Sequence, residues 1–295
     1  MQDQWTEVVI SSEGARLAAR IYRPKSAPKG VALIHPATGA PQKIYRPFAV
    51  WLTEVHCLTV VTYDYRDFGA SAPIGVPIRQ SKADKLAWGV HDQTAAVDFA
   101  ADIAAGISAE TATDVPLTVI GHSLGGMTTP LHHNAHKVSR LIAVASGPAY
   151  WTAHPFPYVL FVMLFWFVIG PVSTTLLGYT PGRRLGLGAD LPAGVFWQWR
   201  RWCTTRAFYK SDVGGRLPMT DFRNLKAPVK LVALQDDQMI PPEGVARLAE
   251  FYRGADVTLL TLGSQDDPTQ AKNKRIGHFG AFLPAHAGLW PKIMA

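Results

Sequence analysis

The chain has 295 residues and a mass of 32.2 kDa, enough for one large hydrophobic core or for one core with an insertion. Hydrophobic residues make up 48% and charged residues 17%, which excludes a disordered or fibrous protein. The two cysteines cannot form a disulfide framework, and "MQDQWTEVVI" shows no basic segment followed by an apolar one. These features predict a cytoplasmic protein.

The net charge of +7 is distributed unevenly. The segment Pro148–Gly215 has six basic and two acidic residues, and so carries four of the seven net positive charges. A basic surface can attract phosphates, anionic lipid headgroups or acidic substrates. We interpret the excess as a solvated surface and expect no nucleic-acid partner.

Up to about residue 147, short β-rich runs alternate with longer helical patterns, as stacked βαβ units do. Strands are predicted for Glu7–Ser12, Ala15–Tyr22, Gly30–Pro36, Leu58–Tyr65, Leu117–Gly121 and Arg140–Ser146. Helices are predicted for residues 43–55, 88–105 and 124–135.

The composition changes after this alternating region. No Asp, Glu, Lys or Arg occurs from Pro148 to Gly182, and residues 148–215 contain 15 of the 31 aromatic residues. The alternation then resumes with a strand, a helix and a strand, at Val229–Leu234, Pro242–Tyr252 and Val257–Leu262. We therefore predict one core domain, residues 1–147 and 216–295, interrupted by a helical, aromatic-rich cap, residues 148–215.

The most apolar part of the predicted cap is the 13-residue run Tyr158–Gly170. A bilayer core needs about 20 apolar residues, and this run is followed by a proline and several hydroxyl residues. A tilted membrane span, a helix buried in the protein and an amphipathic lid all remain open. We favour a lid that forms a wall of an apolar pocket, with contact to a membrane surface as an alternative.

A Gly-x-Ser-x-Gly pattern, Gly121-His122-Ser123-Leu124-Gly125, follows a predicted strand and precedes a predicted helix. A chain that leaves a strand and at once begins a helix turns sharply. The turn strains the backbone of the intervening residue and lifts its side chain clear of the sheet edge. Gly121 and Gly125 are expected where neighbouring backbone leaves no room for a side chain. Ser123 is therefore a candidate nucleophile, and a plain glycine-rich turn is the alternative.

A serine hydroxyl needs a base to remove its proton and an acid to orient that base. Asp236 and Asp237 follow the strand Val229–Leu234, at the edge where catalytic groups of open α/β sheets collect. His278 lies between glycines beyond the last predicted strand and is the candidate base. Position along the chain leaves both aspartates open as the acid.

The motifs "GHSLGG" and "IGHFG", with the strand before the two aspartates, resemble those of the α/β-hydrolase superfamily. More narrowly, the chain is similar to bacterial predicted α/β-hydrolases grouped with serine-aminopeptidase-like and lysophospholipase-like enzymes. The stretches "HPATGAPQKIYRPFA", "TYDYRDFGAS" and "GYTPGRRLGLGADLP" extend the resemblance over nearly the whole chain. It implies the α/β-hydrolase fold: a mostly parallel, doubly wound, eight-stranded sheet with a helical cap insertion.

The resemblance also implies roles for particular residues. In that superfamily the acid commonly stands four residues before a proline, which favours Asp237 and leaves Asp236 as the alternative acid. Two backbone N–H groups bind the oxyanion of the tetrahedral intermediate. Leu124, which follows the nucleophile, is one implied donor. Ala37, in the "HPATG" loop that stands in place of the family's H-G-x-x-G, is the other.

Several other polar residues are expected to have ordinary structural roles. His122 is expected to pack or hydrogen-bond locally. A cluster of histidines on the predicted helix lacks an obvious carboxylate partner, so we expect no metal site there: His132, His133 and His136. Two rival acids lie in the hydrophilic segment Gly263–Arg275, which we interpret as a surface loop: Asp266 and Asp267.

The sequence as a whole predicts a serine hydrolase that cleaves carboxylic esters, or thioesters, through an acyl-enzyme on Ser123. The uncharged aromatic cap favours a small substrate with an apolar acyl or aromatic group, and no cofactor is expected. Acyl transfer, peptide hydrolysis by the same triad, and a non-catalytic binding protein on this fold remain alternatives. A peptidase would need acids in the cap for a free amino terminus, and the predicted cap has only Asp190 and Asp212.

Overall fold

The core is built on a single large sheet. The computed structural model describes residues 5–268 and 275–295, so part of the hydrophilic segment Gly263–Arg275 lies outside the described residues. The strands found in those ranges are β1 (Thr6–Ser12), β2 (Ala15–Tyr22), β3 (Gly30–His35), β4 (Leu58–Tyr63), β5 (Leu117–His122), β6 (Arg140–Val144), β7 (Tyr179–Thr180), β8 (Leu191–Pro192), β9 (Val229–Leu234) and β10 (Val257–Leu262).

Among the described residues, eight strands form the sheet, in the order β1-β2-β4-β3-β5-β6-β9-β10. Neighbouring strands are parallel except for the pairs β1–β2 and β2–β4. The predicted mostly parallel, eight-stranded α/β fold is therefore confirmed. All six residues of β3 are buried, because a central parallel strand is covered on both faces and can be apolar throughout.

Helices cover both faces of the sheet and give the molecule two main hydrophobic clusters. One cluster includes Val97 and Ala100 of the second helix; the other includes Phe48 of the first and Ile293 of the last. The helices are α1 (Arg46–His56), α2 (Gln93–Thr111), α3 (Tyr158–Leu164), α4 (Gly170–Leu177), α5 (Ala193–Thr204), α6 (Pro242–Arg247), α7 (Gly277–Gly280) and α8 (Trp290–Met294).

The helix predicted for residues 124–135 does not form. Its place is taken by three short 3-10 turns, Ser123–Gly126, Thr129–Leu131 and Ala135–Lys137. Two glycines, two β-branched threonines and Pro130 make this stretch a poor α-helix, since proline lacks the N–H that the helix interior needs. The predicted helix face shared by the histidines is therefore wrong.

The segment predicted as the cap lies between β6 and β9 and contains α3, α4, α5 and the small β7–β8 sheet. α3 continues through a π turn at Phe165–Ile169 into α4, so the helical run Tyr158–Leu177 has 20 residues and exceeds the 13 noted in the sequence. Within this turn the Trp166 carbonyl accepts a hydrogen bond from Arg200 Nε at 2.6 Å. A Cβ at Gly170 would overlap the ring of Phe196, so that glycine allows α4 to approach α5 closely.

Candidate active site

Ser123 lies at the sharp turn that the sequence pattern predicts. It follows β5 directly and has a φ of 53°, a left-handed conformation that residues with a side chain seldom adopt. A Cβ on Gly121 would overlap the carbonyl oxygen of Gly125, and one on Gly125 would overlap that of His35. Neither glycine position can carry a side chain without moving backbone, which accounts for the Gly-x-Ser-x-Gly spacing.

The structure brings His278 together with Asp237. His278 Nδ1 lies 2.7 Å from Asp237 Oδ2, and the Asp237 side chain is fully buried. The other carboxylate oxygen of Asp237 accepts the N–H groups of Met239 at 2.8 Å and Ile240 at 3.1 Å. Because a carboxylate can only accept, the proton of neutral His278 is on Nδ1 and its Nε2 lone pair is free.

Asp236 has a different set of contacts. Its two carboxylate oxygens accept the N–H groups of Ile276 at 2.8 Å and Gly277 at 2.9 Å. These two residues immediately precede His278. Asp236 therefore fixes the backbone that carries the imidazole, whereas Asp237 contacts the imidazole itself.

Ser123 and His278 border the same cavity. In the described ranges no hydrogen bond joins Ser123 Oγ to His278 Nε2. Unliganded active sites often have long catalytic contacts that shorten when substrate binds. Since Nδ1 faces Asp237, Nε2 is the nitrogen available to the serine.

His122 connects two loops of the site rather than acting on Ser123. Its Nε2–H donates to the carbonyl of His278 at 2.9 Å, and its Nδ1 accepts from the Tyr45 hydroxyl at 2.8 Å. That hydroxyl oxygen in turn accepts the N–H of Ala37 at 2.9 Å. Complete burial lowers the pKa of His122 well below its ordinary value, which keeps the imidazole neutral and able to accept.

These contacts bear on the two predicted oxyanion donors, Ala37 and Leu124. The Ala37 amide is already bound to Tyr45, and Ala37 does not border the cavity. The next residue, Thr38, does border it, as does Leu124. Within the described chain, the N–H groups of Thr38 and Leu124 have no protein acceptor. In this loop Thr38 is therefore the candidate donor that borders the cavity, and the contact between Ala37 and Tyr45 has no signal in the sequence.

The cavity above Ser123 is walled largely by the predicted cap. α3 and the π turn supply apolar and aromatic side chains, namely Tyr158, Phe161, Val162, Phe165 and Trp166. α5 supplies Trp199, Trp202 and Cys203. His154 also borders the cavity, and its Nδ1–H donates to the carbonyl of Gln238 at 2.8 Å, beside Asp237. Burial lowers the pKa of His154.

Sequence reasoning missed Lys85, a cationic residue of this cavity. Lys85 is 2% exposed and borders the cavity together with Ser123 and Thr38. Nothing in "SKADKLAWG" distinguishes it from the exposed Lys82 three residues earlier. Its burial results from the approach of α5, because the Leu86 N–H donates to Gln198 Oε1 of that helix at 3.0 Å.

The remaining candidates lie elsewhere or have other contacts. Buried His132 bonds through Nε2–H to the carbonyl of Gly89 at 2.8 Å. Over residues 5–268 and 275–295, no group of three His, Cys, Asp or Glu residues could hold a metal ion. Asp266 accepts from Lys292 Nζ at 2.8 Å, and Asp267 Oδ2 lies 3.6 Å from His286 Nδ1.

Several solved structures share this architecture. One is a soluble variant of monoglyceride lipase from Saccharomyces cerevisiae in complex with a substrate analog, at 17% identity and a TM-score of 0.59, covering 90% of this chain and 89% of that one. Another is Est1E from Butyrivibrio proteoclasticus with bound ferulic acid, at 16% identity and a TM-score of 0.56, with 97% and 96% covered. A carboxyl esterase from Bacillus coagulans in complex with glycerol has 15% identity and a TM-score of 0.54, with 88% and 90% covered.

At these identities the structural likeness supports the fold alone. No curated protein matches this chain in sequence. A family model described as alpha/beta hydrolase family matches residues 31–271, well over half of the chain. The match confirms the superfamily that the motifs predicted, and the chain belongs to the alpha/beta hydrolase family.

Proposed function

We propose that this protein is a serine hydrolase that cleaves carboxylic esters, with thioesters in the same reaction class, through an acyl-enzyme on Ser123. The observation that carries the proposal is one cavity that Ser123, His278, Thr38 and Leu124 all border. His278 is oriented there by its 2.7 Å bond to buried Asp237. A nucleophile, an oriented base and donors for an oxyanion are the parts that acyl transfer needs.

In the proposed reaction, His278 Nε2 accepts the Ser123 hydroxyl proton as Oγ bonds to the ester carbonyl carbon. The carbonyl oxygen becomes an oxyanion, which accepts hydrogen bonds from the N–H groups of Leu124 and Thr38. The C–O bond to the alcohol then breaks, and the imidazolium returns its proton to the departing alkoxide. In the second half, His278 Nε2 accepts a proton from water as the water oxygen bonds to the acyl carbon. The bond to Ser123 Oγ then breaks, Oγ takes the proton back, and the carboxylic acid is released. Asp237 stabilises the imidazolium during both the formation and the hydrolysis of the acyl-enzyme.

The walls of the cavity indicate the substrate class. Phe161, Val162, Phe165 and Trp166 present apolar surface next to Ser123, and burial of an apolar acyl or aromatic group against them is favourable. A peptide amino terminus would meet Lys85, a group of like charge. The only buried acid among the two of the cap, Asp212, is bound by Arg201 at 2.7 Å. These contacts favour esters over peptides.

A fluorophosphonate probe tests the proposal directly, because it reacts with activated serines. The wild-type protein should be labelled and should hydrolyse a small aryl ester. Ser123→Ala should lose both the labelling and about 10⁶-fold in kcat, as removal of a triad nucleophile does. Ser108→Ala, at a serine of α2 remote from the cavity, is the control and should behave as wild type. A folded wild-type protein that is neither labelled nor active on any ester contradicts the proposal.

We also propose that the cap contacts a lipid surface as a peripheral site. The helical run Tyr158–Leu177 is the one segment of the described chain long and apolar enough to cross a membrane, with a mean hydropathy of 2.1 and 28% of its window buried. Side chains spaced by four residues form an exposed apolar stripe along it: Leu160, Leu164, Val168, Val172 and Leu176. The opposite side borders the cavity, so a lid that rests on lipid accounts for both faces.

Vesicle co-sedimentation tests this contact. Wild-type protein should pellet with vesicles of phosphatidylcholine and phosphatidylglycerol. The triple variant Leu164→Gln, Val168→Gln, Leu176→Gln should remain in the supernatant. Leu259→Gln, at a comparably exposed leucine of β10, should still pellet. Equal behaviour of wild type and triple variant would show that the stripe contacts no lipid.

A further inference from the structure

Lys85 is an unusual group for an apolar cavity. It lies in the first turn of the helical segment that leads into α2, at the boundary between core and cap. Its side chain is 2% exposed, and it borders the same cavity as Ser123. Lysine is rarely buried to this extent unless a counter-ion accompanies it.

The contacts of Lys85 leave its charge uncompensated. Its Nζ donates to the Thr38 hydroxyl and lies 5.0 Å from the centre of the Trp199 ring. Among the described residues, no carboxylate lies within 4.0 Å of this ammonium. An ammonium has three N–H donors, and the Thr38 hydroxyl takes one of them.

The nearby thiol does not supply the missing charge. Burial raises the pKa of Cys203 to about 12, so this thiol stays protonated at neutral pH. Burial lowers the pKa of Lys85 to about 7, because the apolar surroundings stabilise the ammonium poorly. An anion bound beside Nζ would stabilise the ammonium and raise the pKa of Lys85.

We propose that Lys85 binds a carboxylate of the substrate, so that the preferred esters carry a free carboxylate a few bonds from the scissile carbonyl, as half-esters of dicarboxylic acids do. This inference rests on the proposed ester hydrolysis at Ser123. It assigns to Lys85 the selection of substrate and not the chemistry of acyl transfer.

The neighbouring donors fit a carboxylate in particular. The Thr38 hydroxyl oxygen accepts from Lys85, and its own proton has no acceptor within the described chain. One carboxylate oxygen can therefore bind the ammonium while the other accepts from Lys85 or Thr38. A phosphate group would bring more charge and a third oxygen into surroundings that are otherwise aromatic. Because the Thr38 N–H is also a proposed oxyanion donor, the carboxylate lies near the ester group.

A matched pair of esters tests this inference. Monoethyl glutarate carries the carboxylate, and ethyl 5-oxohexanoate replaces it with a neutral methyl ketone of similar shape. The variants are Lys85→Met, which keeps the length of the side chain without its charge, and the control Lys82→Met. The quantity compared is the ratio of kcat/KM for the half-ester to that for the keto ester.

We expect Lys85→Met to lower this ratio by about 10- to 100-fold, the usual effect of losing a hydrogen bond between charged groups. Lys82→Met should leave the ratio unchanged. An equal loss on both esters would overturn the inference, because Lys85 would then act only by positioning the oxyanion loop. Unchanged kcat/KM values for both esters in Lys85→Met would overturn it as well.

A binding measurement separates this inference from the proposed reaction. Ser123→Ala cannot form the acyl-enzyme, yet it should bind monoethyl glutarate, measured by calorimetry or by the fluorescence of Trp199 beside the ammonium. The double variant Ser123→Ala, Lys85→Met should bind it at least 10-fold more weakly. Equal affinity in the two proteins refutes the carboxylate site, whether or not the wild type hydrolyses esters.

Discussion

The edge of the core sheet and the cap above it hold their functional groups in different ways. In the core, Ser123 is fixed by a strained turn between two glycines, and Asp237 and Asp236 are each held by two backbone N–H groups. In the cap, the walls of the cavity are side chains on short helices, and one face of α3 and α4 is exposed and apolar. Backbone contacts thus fix the candidate catalytic residues, whereas side chains of the predicted cap form the walls of the cavity.

The largest expected effect separates two adjacent aspartates in the core. Asp237→Asn should lower kcat by about 10⁴-fold, because an amide cannot stabilise the imidazolium and favours the wrong tautomer of His278. Asp236→Asn should lower kcat by roughly 10-fold or less and reduce stability instead, since Asp236 binds backbone and not the ring. Steady-state kinetics and thermal unfolding of both variants check this. A greater loss of kcat in Asp236→Asn would transfer the acid role to that residue.

A smaller effect is expected from the anchor of the cap. Asp212 accepts from Arg201 Nε at 2.7 Å and from Trp202 Nε1 at 2.9 Å, and Trp202 borders the cavity. Asp212→Asn should raise KM about 10-fold for a bulky apolar ester, since an amide satisfies these two donors poorly. The kcat for a small acetate ester should stay within about 2-fold, because the triad is untouched.

The control for this prediction is Asp190→Asn, at a partly exposed acid of the cap that accepts the Arg183 N–H at 3.1 Å. Asp190→Asn should change neither KM for the bulky ester nor kcat for the small acetate ester. Asp212→Asn could instead lower kcat for the small ester as strongly as it raises KM for the bulky one. The cap contact would then affect catalysis as well as binding, which contradicts the division of roles between core and cap.

The last expected effect is on stability and lies at the boundary between the two regions. The pKa of Lys85 is about 7 in the folded protein and about 10.4 in an unfolded chain, so the unfolded state binds more protons between these values. Wild-type stability should therefore rise with pH relative to that of Lys85→Met across this window, and should be level below it. Denaturant unfolding at pH 6, 7.5 and 9 measures the difference. The difference in stability between wild type and Lys82→Met, changed at an exposed lysine, should not vary with pH, because both proteins keep Lys85. A wild-type slope of opposite sign relative to Lys85→Met would contradict the burial of Lys85.

The strands of the core could be predicted from the sequence because their signal is local. From their apolar, β-branched runs, the predicted bounds of β9 and β10 agree with the structure at both ends, and those of β5 differ by one residue. The helix expected after Ser123 was wrong because the general pattern of the motif was given more weight than Pro130 and the adjacent glycines. Local propensity decided the structure there.

The candidate site was predicted in part for the same reason. Ser123 and Asp237 follow the strands β5 and β9, and the structure brings Asp237 together with His278, which lies in α7. The contact of the Ala37 amide depends on the Tyr45 hydroxyl, in the turn before α1, and the burial of Lys85 depends on α5. Both are tertiary contacts without a motif. The assignment of roles to these residues, the division at residues 148 and 215, and the cytoplasmic location stay predictions.

The hydrogen bonds that run from the Ala37 amide through Tyr45 and His122 to the His278 carbonyl have a consequence for motion in the site. They join the loop after β3 to the loop that carries the imidazole, through two buried side chains with all their polar atoms bound. A displacement of one loop strains a bond to the other. We therefore expect the loop after β3 and the loop that carries His278 to move together as one rigid unit.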